Sequence, residues 1–201
     1  MMRPLRTSLA IALAAAFCGT AHAQTTGSEV QRDVNQQNRI EQGLQSGQLN
    51  THEAAKLEQG EARIDRMQTN AMKDGSLSDA EKSRIQKAQN AESKAIHGQK
   101  HDGQTGNPAS ASSQRMQADV QRNANQQARI KQGVASGSLT AKETGALERG
   151  QAHVSHKEAV AGANGHVGAG EQARIQASEN HQSARVYHKK HNTVAAGGTG
   201  S

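Results

Sequence analysis

Ser46-Gly47-Gln48-Leu49-Asn50-Thr51-His52-Glu53 is the stretch whose reading decides the fold. Glycine just past a helical turn supplies the left-handed residue that ends a helix. Three positions later Asn50 can cap the next helix, and Glu53, three further on, can close a capping box. The same punctuation returns at Asp74-Gly75-Ser76-Leu77-Ser78 with Glu81 and at Ser136-Gly137-Ser138-Leu139-Thr140 with Glu143. A fourth copy, Asn164-Gly165-His166-Val167-Gly168 with Glu171, lapses only at the capping residue, Gly168. Helices are therefore predicted over 28–46, 51–73 and 79–101, and again in a second copy.

That second copy lies at an offset of 90 residues without gaps. Val30-Gln31-Arg32 returns as Val120-Gln121-Arg122, and Asn35-Gln36-Gln37-x-Arg39-Ile40 as Asn125-Gln126-Gln127-x-Arg129-Ile130. From Val30 onward, 18 of the first 33 aligned positions are identical, and identities then thin, so the front of each unit is the more constrained part. The expected organisation is a leader over 1–23, a first helical unit over 28–102, a flexible linker over 103–114, a second unit over 115–192 and a disordered tail over 193–201. The linker and tail rest on composition, GQTGNPASASS and TVAAGGTGS.

The predicted class is all-α, two tandem three-helix units with a thin core of aliphatics and alanine. Only 24 Val, Ile, Leu and Met follow the leader, and Tyr187 is the sole aromatic ring there. Helix 1 lines up Val30, Val34, Ile40 and Leu44, with Gln37 among them; helix 2 lines up Leu57, Gly60, Ile64, Met67 and Ala71. Gly60 and its repeat Gly150 cost about 1 kcal/mol each against Ala inside a helix, which implies a closely approaching neighbour. Helix 3 is thinner, with Ile85, Ala88 and Ile96.

Arg3 and Arg6, an apolar stretch from Ser8 to Cys18, and Ala21-His22-Ala23 read as a cleavable signal peptide cut after Ala23. The apolar stretch is too short for a permanent span, and Phe17 before Cys18 argues against a lipoprotein. The expected location is periplasmic or secreted, with no membrane span after cleavage and no thiol.

The net charge of +6 comes from interleaved Lys, Arg, Asp and Glu, the pattern of a solvated helical surface. No nucleic-acid partner is expected, since stacking platforms are absent and no basic face is concentrated in the sequence. Aligning Gly75 with the invariant glycine of an EF-hand loop places Asn70, Asp74, Ser76 and Glu81 at ligand positions. Met72 spoils the third position, however, and capping explains the Gly and the Glu without calcium. Histidines at His97/His101, His153/His156 and His188/His191 have spacings suited to a transition metal. His101 and His191, the pair shared by both copies, also suit a helix C-terminus. Gln31, Arg32, Asn35, Gln36 and Arg39, with Gln121, Arg122, Asn125, Gln126 and Arg129, are polar residues retained between the copies. They form a candidate surface for self-association or a protein partner through helix 1. No catalytic constellation is visible, so an enzyme is not expected and no cofactor is implied.

Written out as Asn35–Ile64 and Asn125–Val154, the units resemble those of a group of exported proteins of Gram-negative bacteria, with degenerate EF-hand-like helix-turn-helix units reading N-Q-Q-x-R-I-x-x-G-x-x-S-G-x-L-T-x-x-E. That resemblance implies export and a helical repeat, and no activity. A looser likeness, at Leu139-Thr140-x-x-Glu143, is to periplasmic helical stress chaperones with L-T-x-x-Q motifs. The expectation is a non-enzymatic interaction or envelope-stress protein; the alternative is a weak Ca, Zn or Cu binder using the loops or histidines.

Overall fold

The structure is a computed structural model and describes residues 20–193. It is all-helical: α1 (Thr20–Ser46), α2 (Thr51–Ala71), α3 (Asp79–Lys100), α4 (Ala111–Ala135), α5 (Ala141–Gly162) and α6 (Ala169–Lys190), with no strand among the described residues. The predicted leader lies outside the described residues up to position 19, and positions 20–23 form the first turn of α1. The tail lies outside them from position 194.

The punctuation works as its chemistry dictates. Among the described residues positive φ occurs at Gly47 (74°), Gly75 (92°), Gly137 (71°) and Gly165 (81°), the four glycines of the repeated mark. Asn50, Ser78 and Thr140 sit in extended backbone and accept from the amides of Glu53, Glu81 and Glu143, whose carboxylates accept the cap amides in return. At the fourth mark only the return arm exists, Gly168 N–H to Glu171 Oε2 at 2.8 Å, because glycine has no side chain to offer.

The two units pack directly on one another. Val30, in the first half of α1, clusters with Ile130 and Val134 in the last turns of α4, together with Leu139, Leu147 and Val186. The 90-residue counterparts, Val120 with Ile40, Leu44, Leu49, Leu57 and Ile96, form the matching part of a second cluster. Each unit's apolar cluster is thus completed by a valine of the other, and α1 and α4 run antiparallel. α2 and α5 do likewise: Gly145 lies against Met72, and Gly162 against Ala55 and Thr51. The arrangement is a two-fold dimer contact within one chain, with α3 flanking α1 and α2, and α6 flanking α4 and α5.

The segment between the units differs from the predicted flexible linker. Gly106 N–H donates to Gly47 O at 2.9 Å, and Gln117 Nε2 donates to Pro108 O at 3.1 Å. Its last residues belong to α4. Ser110 caps that helix by accepting from Ser113 N–H at 3.1 Å, and Ser112 is buried with its Oγ accepting from Val167 N–H at 2.7 Å. Serine richness, read from composition as looseness, here supplies a cap and a buried bridge.

Candidate metal centre in a carboxylate-rich core

Between the apolar clusters the interior is polar. Twelve of the eighteen Asp and Glu residues are buried, whereas among the described residues no Lys or Arg is buried. The charges that alternate along the sequence are therefore sorted in space, acids inward and bases outward. On α2 the acids and amide Glu58, Glu61, Asp65 and Gln68 recur at helical spacing along the buried side, between Leu57, Ile64 and Ala71.

Amides hold many of these acids. Gln37 Nε2 donates to Glu58 Oε2 at 3.0 Å, and the equivalent Gln127 donates to Glu148 Oε2 at 2.9 Å. Gln68 and Gln89 each donate to Asp33, both at 2.7 Å. In the second unit the chemistry is exchanged: Asn123 stands at the position of Asp33, Glu158 at that of Gln68 and Glu179 at that of Gln89. There Asn123 Nδ2 donates to Ser155 Oγ at 2.7 Å and to Glu158 Oε2 at 3.3 Å. Glu179 pairs with Arg122 at 3.2 Å.

Three carboxylates from three helices and both units converge. Asp33 of α1, Asp65 of α2 and Glu148 of α5 are all buried, and one oxygen from each lies within 4.8 Å of the other two. Gln127 Nε2 bridges toward Asp65 Oδ1 at 3.4 Å. Beside them Glu61 is 1% exposed, and neither of its oxygens has a hydrogen-bond partner. Its charged neighbours are Asp33, Glu92, Glu58 and Asp65, all acids. Across the units the Glu58 and Glu158 carboxyls lie close enough to interact, and a proton shared between them would join them.

Burial drives the protonation of this group. It raises Asp33 to about 7, against the lowering effect of Gln68 and Gln89. Burial and the Asp33 charge raise Glu148 to about 8. Asp65 is raised by burial and then by Glu148, Asp33 and Glu58; Glu61 is raised by burial and by the same crowd of acids. Throughout the described interior, the buried side-chain atoms that lack a hydrogen-bond partner are oxygens. Such an interior is rich in acceptors and poor in donors, and it is satisfied by protons or by a cation. Hard oxygen donors without imidazole or thiolate suit calcium, magnesium or manganese.

The residues singled out from sequence lie elsewhere. In the Asn70–Glu81 loop, Asp74 Oδ1 accepts from Ser76 N–H at 3.0 Å and Ser76 Oγ at 3.2 Å. Glu81 is lowered in pKa by its hydrogen bonds from the Ser78 hydroxyl and backbone, as a cap, and Asn70 is exposed on α2. His101 and His191 are the C-caps of α3 and α6, each with Nδ1 on the carbonyl four residues back, at 2.8 and 2.7 Å. His191 stacks on Tyr187 and His188 meets it edge-on.

The polar residues retained on helix 1 are spent largely inside each unit. Arg32 and Arg122 donate to Asn90 and Asn180 of the third helices. Gln36 donates to Gln89 O at 2.7 Å and Gln126 to Glu179 O at 2.9 Å. Arg39 and Arg129 each clamp the hydroxyl and carbonyl of Ser93 or Ser183. Gln31 donates to Asn35, its neighbour one turn on, while Asn35, Gln121 and Asn125 face solvent. Fold alone therefore accounts for Arg32, Gln36, Arg39 and their second-copy equivalents: they fasten the first helix of each unit to its third.

Comparison with protein families, with curated proteins and with solved structures finds no match. No helix among the described residues is long and apolar enough to cross a membrane.

Proposed function

We propose that this chain is a non-enzymatic exported protein that takes a hard divalent cation into its core, with Asp33, Asp65 and Glu148 as ligands. The observation that carries the reading is the approach of three buried carboxylate oxygens to within 4.8 Å of one another, contributed by both units. The unpartnered Glu61 carboxylate beside them supports it. A cation there relieves mutual repulsion that otherwise has to be relieved by protonation. Binding therefore releases protons and strengthens as pH rises toward 8. In the alternative Asn70–Glu81 loop Asp74 and Glu81 already serve a turn and a cap, and of the histidine pairs His101 and His191 serve as C-caps, which favours the buried carboxylates. In the interaction reading's candidate surface, Gln36, Gln126 and the four arginines are engaged within their own units.

The test is calorimetric titration of the mature protein, freed of metal with a chelator, with calcium, magnesium and manganese at pH 8 and pH 6. Saturable binding with proton release is expected at pH 8 and weaker binding at pH 6. Asp65→Ser installs what the second unit carries at Ser155, and it should abolish the heat while preserving the helical spectrum. Absence of heat at millimolar metal and pH 8 refutes the proposal.

A further inference from the structure

On the outer side of the second unit, α5 and α6 enclose an open pocket of about 520 Å³ lined by Arg149, His153, His181, Arg185 and Gln182 over Gly150. Its floor exists because position 150 has no side chain: a Cβ there would overlap the Gln182 amide and press on the Arg185 guanidinium. Both of those groups are tethered to α5. Gln182 Nε2 donates to Leu147 O at 2.8 Å, and Arg185 Nη2 donates to Ala146 O at 2.7 Å. Arg185 Nη1 reaches Gln182 Oε1 at 3.3 Å. The guanidinium is thus held in place, and no carboxylate is among the groups that line the pocket.

Positive charge is crowded here without compensation. Burial and the Arg149 charge depress the Arg185 guanidinium below its ordinary value. Burial, with Lys157 and His156, depresses the His153 imidazole. Lys157 forms the adjoining wall, with Nζ donating to Ser178 Oγ at 2.5 Å. Comparison between the copies shows that the fold does not require these charges. At the positions of Arg149, His153, His181 and Arg185 the first unit has Gln59, Arg63, Ala91 and Ala95, which leaves one cation in place of four basic side chains. The first unit also places the Glu92 carboxylate over Gly60, where the second places the neutral Gln182. Packing is conserved between the copies while the positive charge of this pocket is not.

From this geometry we infer that the Arg149–His153–His181–Arg185 pocket is a binding site for a phosphate monoester. A guanidinium held in place on α6 and imidazoles from both walls, His153 of α5 and His181 of α6, match the several oxygens of a dianion. The pocket is open enough for the group to be presented either free in solution or on a lipid headgroup.

The experiment follows the ring signals of His153 and His181 by NMR in the full mature chain, with a chelator present to separate it from cation binding in the core. Three probes are added at constant ionic strength: inorganic phosphate, vesicles of phosphatidylcholine with phosphatidic acid, and sodium chloride. Saturable shifts with phosphate indicate a free ligand, and binding to the phosphatidic acid vesicles alone indicates a headgroup; either supports the site. The double variant Arg149→Gln, His181→Ala carries the residues of the first unit. It should keep the wild-type melting temperature and bind at least about tenfold more weakly, as for loss of a charge-assisted contact. No saturable response to either phosphate probe, an equal response to chloride, or unchanged affinity in the double variant overturns the inference.

Discussion

Glu158 shows how one residue type can be read in two ways. In sequence it is one more charge on a polar helix; in the fold it is fully buried, with its carboxyl facing that of Glu58. The first unit carries Gln68 at the same place, so an amide is known to fit. Glu158→Gln can donate to Glu58 without needing the shared proton. At pH 8 the variant should be the more stable by about 1 kcal/mol, a rise of roughly 2–4 °C in melting temperature for a chain of this size. At pH 5, where burial and mutual repulsion favour the protonated form of the wild-type pair, the difference should shrink. Equal destabilisation at both pH values would show that the carboxyl pair is not the source of strain. Nothing in the local sequence marks such a residue as buried. Glu58, Glu61 and Asp65 follow helical spacing, but a charged residue is ordinarily assigned to solvent, and only packing by the other unit removes that option. Gln37, lying within the apolar stripe, is the one sign in the sequence that amides belong to the interior.

Helices, by contrast, were legible to within a few residues at most boundaries, because their ends are governed by local chemistry. Gly47 and Asn50 need only their immediate neighbours to stop one helix and start another. The start of α4 was misplaced because Ser110 caps from within a run of serines that composition assigns to a linker. α1 begins at Thr20 rather than 28, and only its later turns carry the apolar stripe used to find it. The caps make an element-scale prediction. Ser78→Ala should cost about 1 kcal/mol, with calcium leaving that loss unchanged. Gly168→Ser should gain about 0.5 kcal/mol by restoring the missing arm and stiffening the unfolded chain. Its backbone is already extended, at φ −77° and ψ 161°, and a Cβ meets nothing closer than Glu171 Oε2 at 3.4 Å. Urea denaturation of both variants, with and without calcium, checks the pair; a calcium-dependent loss in Ser78→Ala would return the Asn70–Glu81 loop to consideration as a cation site.

For the whole molecule, the sorting of acids inward sets how stability depends on pH. Asp33, Glu92 and Asp119 are raised to about 7, and Glu148 and Glu179 to about 8, all chiefly by burial. Across the interval from about pH 4 to 8 the folded state therefore holds more protons than the unfolded one, so stability falls as pH rises. The metal-free protein should be most stable near pH 4–5 and lose melting temperature progressively to pH 8, where a divalent cation should restore part of it. A flat profile over this range in thermal melts would contradict the burial of these acids. Most proteins rich in paired carboxylates show the opposite slope. The two-fold contact within one chain also bears on how such an interior could arise. In a dimer of identical subunits every substitution occurs twice, so an acid placed near the axis meets a second copy of itself. Covalent fusion removes that constraint. One half can carry Asp33 between two glutamines while the other reverses the roles, and a basic pocket can be built on one face alone. Duplication has here supplied a symmetric scaffold on which an asymmetric chemistry could accumulate, one substitution at a time.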